Sequence, residues 1–200
     1  MLKSNGRLVT FEGTEGAGKS TLIGALRHEL IARGGLPDKI VCTREPGGSP
    51  VAEKIRAIIL DHPMDPWGEL FLYEAARCEH LAKVIEPALA QGCLVLCDRY
   101  TDSTLAYQGH ARGLPLKAVE AANKLATRGI TPALTVWIDL DPAKGLERAT
   151  AVNRFEREGV EFQKKVRLGF LKTSKREPKR WFRLKPGADS HETMAKKVAD

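Results

Sequence analysis

This chain is poor in the features that mark disulfide-stapled, zinc-binding and membrane-spanning proteins. Its four cysteines, Cys42, Cys78, Cys93 and Cys97, include no C-x-x-C pair, so neither zinc nor a disulfide framework is expected. Cys42, Cys93 and Cys97 lie in apolar, strand-like stretches, where buried, reduced thiols are predicted. No uninterrupted apolar run approaches a membrane span, and the N-terminus lacks the apolar core of a signal peptide. A cytoplasmic protein with no membrane partner is therefore predicted.

The sequence also lacks internal repeats, low-complexity tracts and an interdomain linker. Its 200 residues suffice for one domain with a substantial core. Hydrophobic residues at 42% and charged residues at 28% are ordinary for a globular protein. A single domain over residues 1–200 is predicted.

Acidic residues are scarce in one stretch. Residues 163–185 contain ten Lys or Arg and one acid, Glu177, in a chain of net charge +7. Such a run could bind nucleic acid, or it could be the solvated face of a helix near a polyanionic nucleotide. Phe162, Val166 and Phe170 recur every four residues, which predicts an amphipathic helix with a buried stripe. No nucleic-acid motif accompanies the charge, so we favour the solvated face and predict no nucleic-acid partner.

The most informative segment is a glycine-rich loop. Residues 13–20 read GTEGAGKS and fit G-x-x-x-x-G-K-[ST], the phosphate-binding P-loop. Its glycines permit unusual φ/ψ values, so that successive N–H groups can turn towards an anion. Lys19 supplies a mobile charge for the β/γ-phosphates and Ser20 a hydroxyl for Mg²⁺. A plain Gly-rich turn is the alternative, but a strand-like run before the loop and helical spacing after it favour the P-loop.

Strand-like runs alternate with helical ones along the chain. The candidate strands are residues 8–11, 40–43, 94–97, 134–138 and 181–184. The candidate helices are residues 20–33, 51–60, 69–90, 117–127, 143–150, 160–175 and 192–198. This alternation predicts an α/β fold, with a parallel sheet covered on both faces and an active site at the carboxyl ends of the strands.

Charged residues follow two of the candidate strands. Arg44 comes after the second, where a guanidinium can fork onto a phosphate, although an exposed turn arginine is equally compatible with the pattern. Pro46 makes this turn rigid and could adopt a cis peptide with Glu45. Asp98 and Arg99 follow the third strand. Beside a P-loop, Asp98 resembles an acid that holds Mg²⁺, and a surface Asp–Arg ion pair is the less favoured alternative.

Tyr73 and Arg77 lie four residues apart and share a helix face. An aromatic plane and a forked donor suit a flat, carbonyl-bearing base. On spacing alone, a core Tyr beside a solvent-facing Arg is the better interpretation.

Taken together, these motifs resemble thymidylate kinases of the bacterial type, in the P-loop nucleoside monophosphate kinase family. The segments that carry the resemblance are FEGTEGAGKST, TREPGG, ELFLYEAARCEH, DRYTDSTLAYQG and GLERATAVNRFEREGVEFQKKVRLGFL. They occur in family order across most of the chain, and TREPGG with DRY-xx-ST-x-AYQG is much more specific than the P-loop alone. The resemblance implies a P-loop kinase fold with a five-stranded parallel sheet and a short lid at about residues 147–158. It further implies a homodimer and Mg²⁺-dependent transfer of the ATP γ-phosphoryl group to dTMP, giving dTDP and ADP.

The resemblance also implies roles for individual residues. The implied ATP-binding residues are Gly13, Thr14, Glu15, Gly16, Ala17, Gly18, Lys19, Ser20 and Thr21. The implied dTMP-binding residues are Glu12, Arg44, Tyr73, Arg77, Arg99, Ser103, Thr104, Tyr107 and Gln108. Arg44 and Arg99 would hold the dTMP phosphate, Tyr73 would replace the usual Phe stacked on thymine, and Tyr107 would lie under the deoxyribose. Ser20 and Asp98 would hold Mg²⁺, directly or through water. The implied catalytic residues are Lys19, Asp98, Arg99, Arg148 and Arg154.

The lid departs from the family pattern. In bacterial relatives the P-loop lacks an arginine and the lid supplies it, whereas this lid is shorter and its arginine run is thinned to A-T-A-V. Arg154 holds the place of the arginine in D-R-F-E, beside Phe155, which would anchor the segment by burial. We expect Arg154 to reach the transferring phosphoryl group, with Arg148 as a second cation. The alternative is a structural salt bridge from Arg154 to Glu156 or Glu158.

Two rival functions remain at this stage. One is a related kinase for another nucleoside monophosphate or a deoxynucleoside. The other is a nucleotide-binding regulator that has lost catalysis, which the thinned lid alone supports.

Overall fold

The fold is built on a five-stranded parallel sheet. The computed structural model describes residues 6–148, 154–187 and 189–200. Its strands are β1 (Arg7–Glu12), β2 (Ile40–Arg44), β3 (Leu94–Asp98), β4 (Leu134–Ile138) and β5 (Trp181–Leu184). They are ordered β2-β3-β1-β4-β5, and every neighbouring pair is parallel. The α/β fold and the parallel sheet predicted from the sequence are confirmed.

Helices connect successive strands. The α-helices are α1 (Lys19–Ala32), α2 (Pro50–Asp61), α3 (Pro66–His80), α4 (Glu86–Ala90), α5 (Thr101–Thr104), α6 (Leu116–Ala126), α7 (Pro142–Arg148), α8 (Arg154–Arg157), α9 (Gly159–Arg176) and α10 (His191–Ala199). Two π-helical segments, Leu81–Ile85 and Leu105–Ala111, continue α3 and α5. Two 3₁₀ turns, Pro37–Lys39 and Pro178–Arg180, precede β2 and β5.

The alternation of side chains along β3 explains why both faces of the sheet are covered. Leu96 points into the cluster formed with α1 and α10, whereas Val95 and Cys97 point into the cluster formed with the 81–85 segment and α4. All three side chains are buried. A strand that is buried on both faces has a continuous run of apolar residues in its sequence, as is typical of the central strands of a parallel sheet.

Two helical segments were absent from the predictions, the short α8 and the helix over residues 101–111. Residues 101–111 are rich in Ser, Thr and Gly, which have low helix propensity, yet they form α5 and its π-helical continuation. Tertiary packing stabilises this helix against α9, where Gly169 lets the backbone of Ala106 approach closely. The other elements lie within a few residues of their predictions, except that the predicted helix 69–90 contains a π-helical segment. Of the predicted helix 143–150, residues 149 and 150 lie outside the described residues.

The cysteine prediction is partly wrong. Cys93 and Cys97 are buried, but Cys42 is exposed because β2 is an edge strand whose neighbour lies on one side only. Within residues 6–148, 154–187 and 189–200, no helix is long and apolar enough to cross a membrane.

The amphipathic helix predicted in the basic stretch is present. Phe162, Val166 and Phe170 of α9 are buried. Several cations of the stretch form ion pairs within the chain: Arg167 and Arg183 with Asp139, Arg180 with Asp102, and Arg176 with Glu120. The absence of a nucleic-acid partner stays a prediction.

Candidate active site

The P-loop connects β1 to α1 in a conformation that requires glycine. Gly13, Gly16 and Gly18 have φ values of 154°, 66° and 88°, which side-chain-bearing residues rarely adopt. A Cβ on Gly16 would also overlap the carbonyl group of Gly145 in α7. The loop therefore wraps at the N-terminus of α1, where backbone N–H groups and the helix dipole favour an anion.

An open cavity of about 560 Å³, which we call the loop cavity, lies over the P-loop. It is lined by residues 15–21, and by Arg44, Glu45, Arg56, Asp98, Arg99, Arg148, Glu156 and His191. Lys19 is buried at its floor, where its Nζ donates to the carbonyl oxygens of Gly13 and Thr14 at 3.4 and 3.1 Å. Burial, followed by the charge of Arg99, lowers the pKa of Lys19. Phosphate oxygens entering this cavity would relieve both effects.

Ser20 and Asp98 meet at the edge of the loop cavity. Ser20 Oγ donates to Asp98 Oδ2 at 2.6 Å. This hydroxyl–carboxylate pair joins the start of α1 to the end of β3. Mg²⁺ in phosphoryl-transfer sites takes one or two protein oxygens and completes its shell with phosphate oxygens and water. The pair fits that donor set, and in the described ranges no cluster of three or more His, Cys, Asp or Glu offers a protein-only site.

Arg99 is held in a strained conformation beside the P-loop. Its φ is 70°, which costs energy for a residue with a side chain and is typical of functional sites. Its guanidinium donates to the Gly13 carbonyl at 3.0 Å, to Ser103 Oγ at 3.2 Å and to Glu15 Oε1 at 2.7 Å. It also lies 5.0 Å from the centre of the Tyr107 ring. Burial opposes ionisation of Glu15, but Arg99 and Lys19 outweigh it and lower the pKa of that carboxyl.

A second, smaller cavity of about 60 Å³, the inner cavity, lies between α3 and the 101–111 helix. It is lined by Glu15, Glu45, Pro46, Arg56, Leu60, Tyr73, Arg77, Arg99, Tyr100, Ser103, Thr104, Tyr107, Gln108 and Phe155. Glu15, Glu45, Arg56 and Arg99 line both cavities. The two cavities are therefore adjoining parts of one site.

Arg77 is the buried cation of the inner cavity. Its Nε donates to Glu45 at 2.8 Å, its Nη1 to Glu74 at 2.7 Å and to Asn123 at 2.8 Å, and its Nη2 to Thr104 at 2.8 Å. A guanidinium has five N–H groups, and these contacts use four. The fifth, on Nη2, takes part in none of these four contacts. The solvent-facing Arg77 favoured by spacing alone is wrong, because its side chain is 1% exposed.

Glu45 connects Arg77 to β2. The Glu45–Pro46 peptide is cis, as its position in the turn suggested. Glu45 accepts from Arg77 and contacts His80 Nδ1 at 3.1 Å. Burial would raise the pKa of Glu45, but Arg77 overcomes that effect and the pKa is lowered. A charged Glu45 thus holds the Arg77 guanidinium in one orientation.

Comparison with known proteins identifies this arrangement. The family model described as thymidylate kinase matches residues 11–196. The chain belongs to the thymidylate kinase family. A thymidylate kinase of Geobacter sulfurreducens is 47% identical, over 98% of this chain and 95% of the relative. One of Geotalea daltonii is 46% identical, over 94% and 92%. The crystal structure of the thymidylate kinase of Ehrlichia chaffeensis superposes with a TM-score of 0.80 at 32% identity, covering 98% of this chain and 99% of that one.

The site of this thymidylate kinase family member brings together most of the predicted residues. Of the predicted dTMP-binding set, seven line the inner cavity: Tyr73, Arg77, Arg99, Ser103, Thr104, Tyr107 and Gln108. Arg44 lines the loop cavity instead, where it pairs with Glu53. Glu12 lines neither cavity and lies behind Ser103, whose hydroxyl donates to it. Of the predicted ATP-binding set, residues 15–21 line the loop cavity, and Gly13 and Thr14 do not.

The lid arginines lie in different places. Arg148, at the end of α7, lines the loop cavity. Arg154 instead donates from Nη2 to Glu69 Oε2 at 2.6 Å, a partner outside the lid that the sequence did not indicate. Phe155 is 2% exposed, which confirms that it anchors the segment by burial. Residues 149–153, where the lid departs most from the family pattern, lie outside the described residues.

Several residues of the site had no predicted ligand-binding role, among them Glu45, Arg56, Glu69 and Phe155. Glu45 lies inside the TREPGG segment, and Phe155 lies inside the lid motif and lines the inner cavity. Arg56 lies on α2 and donates to the Pro46 carbonyl at 2.7 Å, and Glu69 lies on α3 behind Gln108. Glu45 could have been found from its motif. Arg56 and Glu69 carry no local signal, since their partners are distant in sequence.

Proposed function

We propose that this protein transfers the γ-phosphoryl group of ATP to dTMP, giving dTDP and ADP. The observation that carries the proposal is the junction of the two cavities. A base pocket with one spare Arg77 donor opens, past Arg99 and Arg56, onto a P-loop. A nucleoside monophosphate that fills the inner cavity therefore presents its phosphate to the loop cavity.

Charge and positioning supply the catalysis. With ATP on the P-loop, Lys19 contacts the β- and γ-phosphates. Arg99, with Arg44 and Arg56, holds the phosphate of dTMP in line. An oxygen of that phosphate attacks the γ-phosphorus, the bond from this phosphorus to the β–γ bridging oxygen breaks, and ADP leaves with that electron pair. No protein nucleophile is needed.

Ser20 and Asp98 are the residues that would hold Mg²⁺. When bound there, the ion neutralises phosphate charge and helps to orient ATP. Lysine and arginine side chains supply the remaining positive charge that stabilises the transferring phosphoryl group. Among the lid arginines, the position of Arg148 in the loop cavity supports it as the cation for the transition state. Arg154, the residue first expected in this role, is committed to Glu69.

The inner cavity favours thymine through shape and hydrogen bonding. The spare N–H of Arg77 suits a base carbonyl oxygen, and Tyr73 offers an aromatic face. Tyr107 donates from its hydroxyl to Glu15 at 2.9 Å, so its ring is fixed where the sugar would lie. Cytosine would bring its amino group against Arg77, donor against donor.

A coupled ADP-release assay with ATP, Mg²⁺ and a panel of acceptors tests the proposal. We expect the highest kcat/KM with dTMP. kcat/KM for dUMP should be lower by about tenfold, near the lower end of the 1–3 kcal/mol that one methyl group is worth in an apolar pocket. kcat/KM for dCMP should be much lower still. Equal kcat/KM for dCMP, or turnover of thymidine in place of dTMP, would favour the rival kinase. No turnover with any acceptor, in a protein that binds ATP, would favour the regulator.

We also propose a cytoplasmic homodimer. Val51, Ile58, Trp67, Phe71 and Leu125 are large apolar side chains exposed on α2, α3 and α6, and exposed apolar patches mark interaction surfaces. Light scattering should give twice the chain mass. Phe71→Asp should shift the protein towards the monomer, and an exchange on another surface, Leu168→Asp on α9, should not. A wild-type monomer at micromolar concentration would contradict this proposal.

A further inference from the structure

A buried carboxylate behind the inner cavity has no part in the mechanism above. Glu69 lies in the first turn of α3 and is fully buried. Its Oε1 accepts from Gln108 Nε2 at 2.7 Å. Its Oε2 accepts from Arg154 Nη2 at 2.6 Å and from Arg112 Nη2 at 3.3 Å. Two guanidinium groups thus hold the carboxylate in one orientation and compensate its charge.

This arrangement decides which way the Gln108 amide faces. The oxygen and nitrogen of an amide are normally assigned from their partners. An ionised carboxylate only accepts hydrogen bonds, so the NH₂ group of Gln108 must face Glu69. The carbonyl oxygen of Gln108 is then its remaining polar atom, and Gln108 lines the inner cavity. Glu69 therefore makes Gln108 an acceptor for whatever fills that cavity.

An acceptor at this position discriminates between pyrimidines. Thymine and uracil carry a hydrogen on N3 and donate from it, whereas N3 of cytosine only accepts. If its amide were free to turn, Gln108 could form a hydrogen bond with N3 of either base. Because Glu69 fixes the amide, Gln108 can only accept a hydrogen bond, and only thymine or uracil donates one from N3.

We propose that Glu69 is a positioning residue for base selection, which fixes the acceptor face of Gln108 and fastens the lid behind it through Arg154. The proposal rests on the proposed dTMP kinase activity. Arg154 lies next to Phe155, and the Phe155 ring is part of the cavity wall, 5.7 Å from the Tyr107 ring centre. The carboxylate that orients the base-facing amide thus also holds the lid segment that closes the pocket.

The test compares Glu69→Gln with wild type in kcat/KM for dTMP and for dCMP. The variant keeps the volume but can donate as well as accept, so it no longer fixes the Gln108 amide. We expect the dTMP:dCMP ratio to fall by about tenfold, the size of effect expected when one hydrogen bond is lost, with KM for dTMP raised more than kcat is lowered. Glu120→Gln removes a carboxylate from an exposed ion pair with Arg176, and Glu120 lines neither cavity, so this variant is the control and should leave the ratio unchanged.

A double-mutant cycle separates positioning from a general structural role. In a Gln108→Ala background, Glu69→Gln should change the dTMP:dCMP ratio by less than about twofold, because the Gln108 amide through which Glu69 acts on the base has been removed. An equal loss of kcat/KM for both acceptors, or the full tenfold change in that background, would overturn the proposal. Inactivity of the wild-type enzyme would instead reject the proposed function.

A measurement on the wild type covers the case in which Glu69→Gln does not fold. The side-chain NH₂ resonances of Gln108, assigned by their loss in Gln108→Ala, should be protected from hydrogen exchange in the protein without ligand. Exchange as fast as that of a surface glutamine would show that Glu69 does not hold the amide, and the proposal would fail.

Discussion

The arginines Arg77 of the inner cavity and Arg44 of the loop cavity differ sharply in burial. In the inner cavity, Arg77 is paired with two carboxylates and its side chain is 1% exposed. In the loop cavity, Arg44 is 55% exposed and its partner Glu53 is 41% exposed. A buried cation held by four hydrogen bonds has its geometry set before any ligand arrives, whereas an exposed cation can rearrange around one. The Arg77 donor is therefore preorganised for base recognition, whereas Arg44 can adjust to a phosphate group.

The largest effect on turnover is expected for Lys19→Ala, on the phosphate-binding side of the site. The variant should lower kcat by about a thousandfold, because it removes charge from the transferring group in a partly buried site. Its melting temperature should stay close to that of wild type, since Lys19 bonds only to loop carbonyl oxygens. Steady-state turnover with ATP and dTMP, alongside thermal melting, measures both. Near-wild-type turnover would refute the assignment of the P-loop.

The lid arginines provide the next test, since Arg148 faces the loop cavity and Arg154 faces Glu69. Arg148→Ala should lower kcat by about a hundredfold with little change in KM for dTMP, as expected for a cation that acts in the transition state. Arg154→Ala should lower kcat only a few-fold and raise KM for dTMP. The reverse pattern would return the catalytic role to Arg154. It would also mean that its bond to Glu69 breaks when ligands bind.

The last test concerns Glu12, which lies behind Ser103 and lines neither cavity. Burial, followed by the charge of Asp102, raises the pKa of Glu12 from 4.5 to about 8. Between these values the folded protein keeps a proton that the unfolded chain has lost, so the contribution of Glu12 to stability falls as pH rises from about 5 to 8. Glu12→Gln has no such dependence. The free energy of unfolding of Glu12→Gln should therefore rise relative to that of wild type by up to about 1.4 kcal/mol per pH unit across this range.

Urea unfolding of both proteins at pH 5, 6, 7 and 8 measures this difference. Two curves that run parallel over the whole range would show that Glu12 titrates alike in the folded and unfolded states. The pH dependence of the wild type would then have to come from other groups.

The parts of this structure that the sequence predicts are those with local signals. The P-loop, the five strands and the amphipathic α9 each show a short period or motif, and the polar residues that follow β3 come from one segment. Most partners of Glu69 and Arg77 are not local: Gln108 and Arg154 lie 39 and 85 residues from Glu69, and Glu74 is the one partner of Arg77 that lies within a helix turn of it. Which acid pairs with which base depends on how the helices pack, and several pairings suit the same composition.

The 101–111 helix also could not be predicted from local sequence signals. Its residues have a weak preference for helix, and they are helical because α9 packs along them. A π-helical segment there changes which side chains face the cavity. No count of apolar residues along this segment would place Tyr107 and Gln108 correctly.

The contact between Gly16 and Gly145 fixes how near an arginine lies to the P-loop. A Cβ on Gly16 would overlap the Gly145 carbonyl group, and a Cβ on Gly145 would overlap the Glu15 carbonyl oxygen. The middle of α7 therefore packs directly against the P-loop. Arg148 lies three residues after Gly145, which is about 4.5 Å along a helix axis at 1.5 Å per residue. This short distance keeps the Arg148 backbone close to the P-loop, and Arg148 lines the loop cavity.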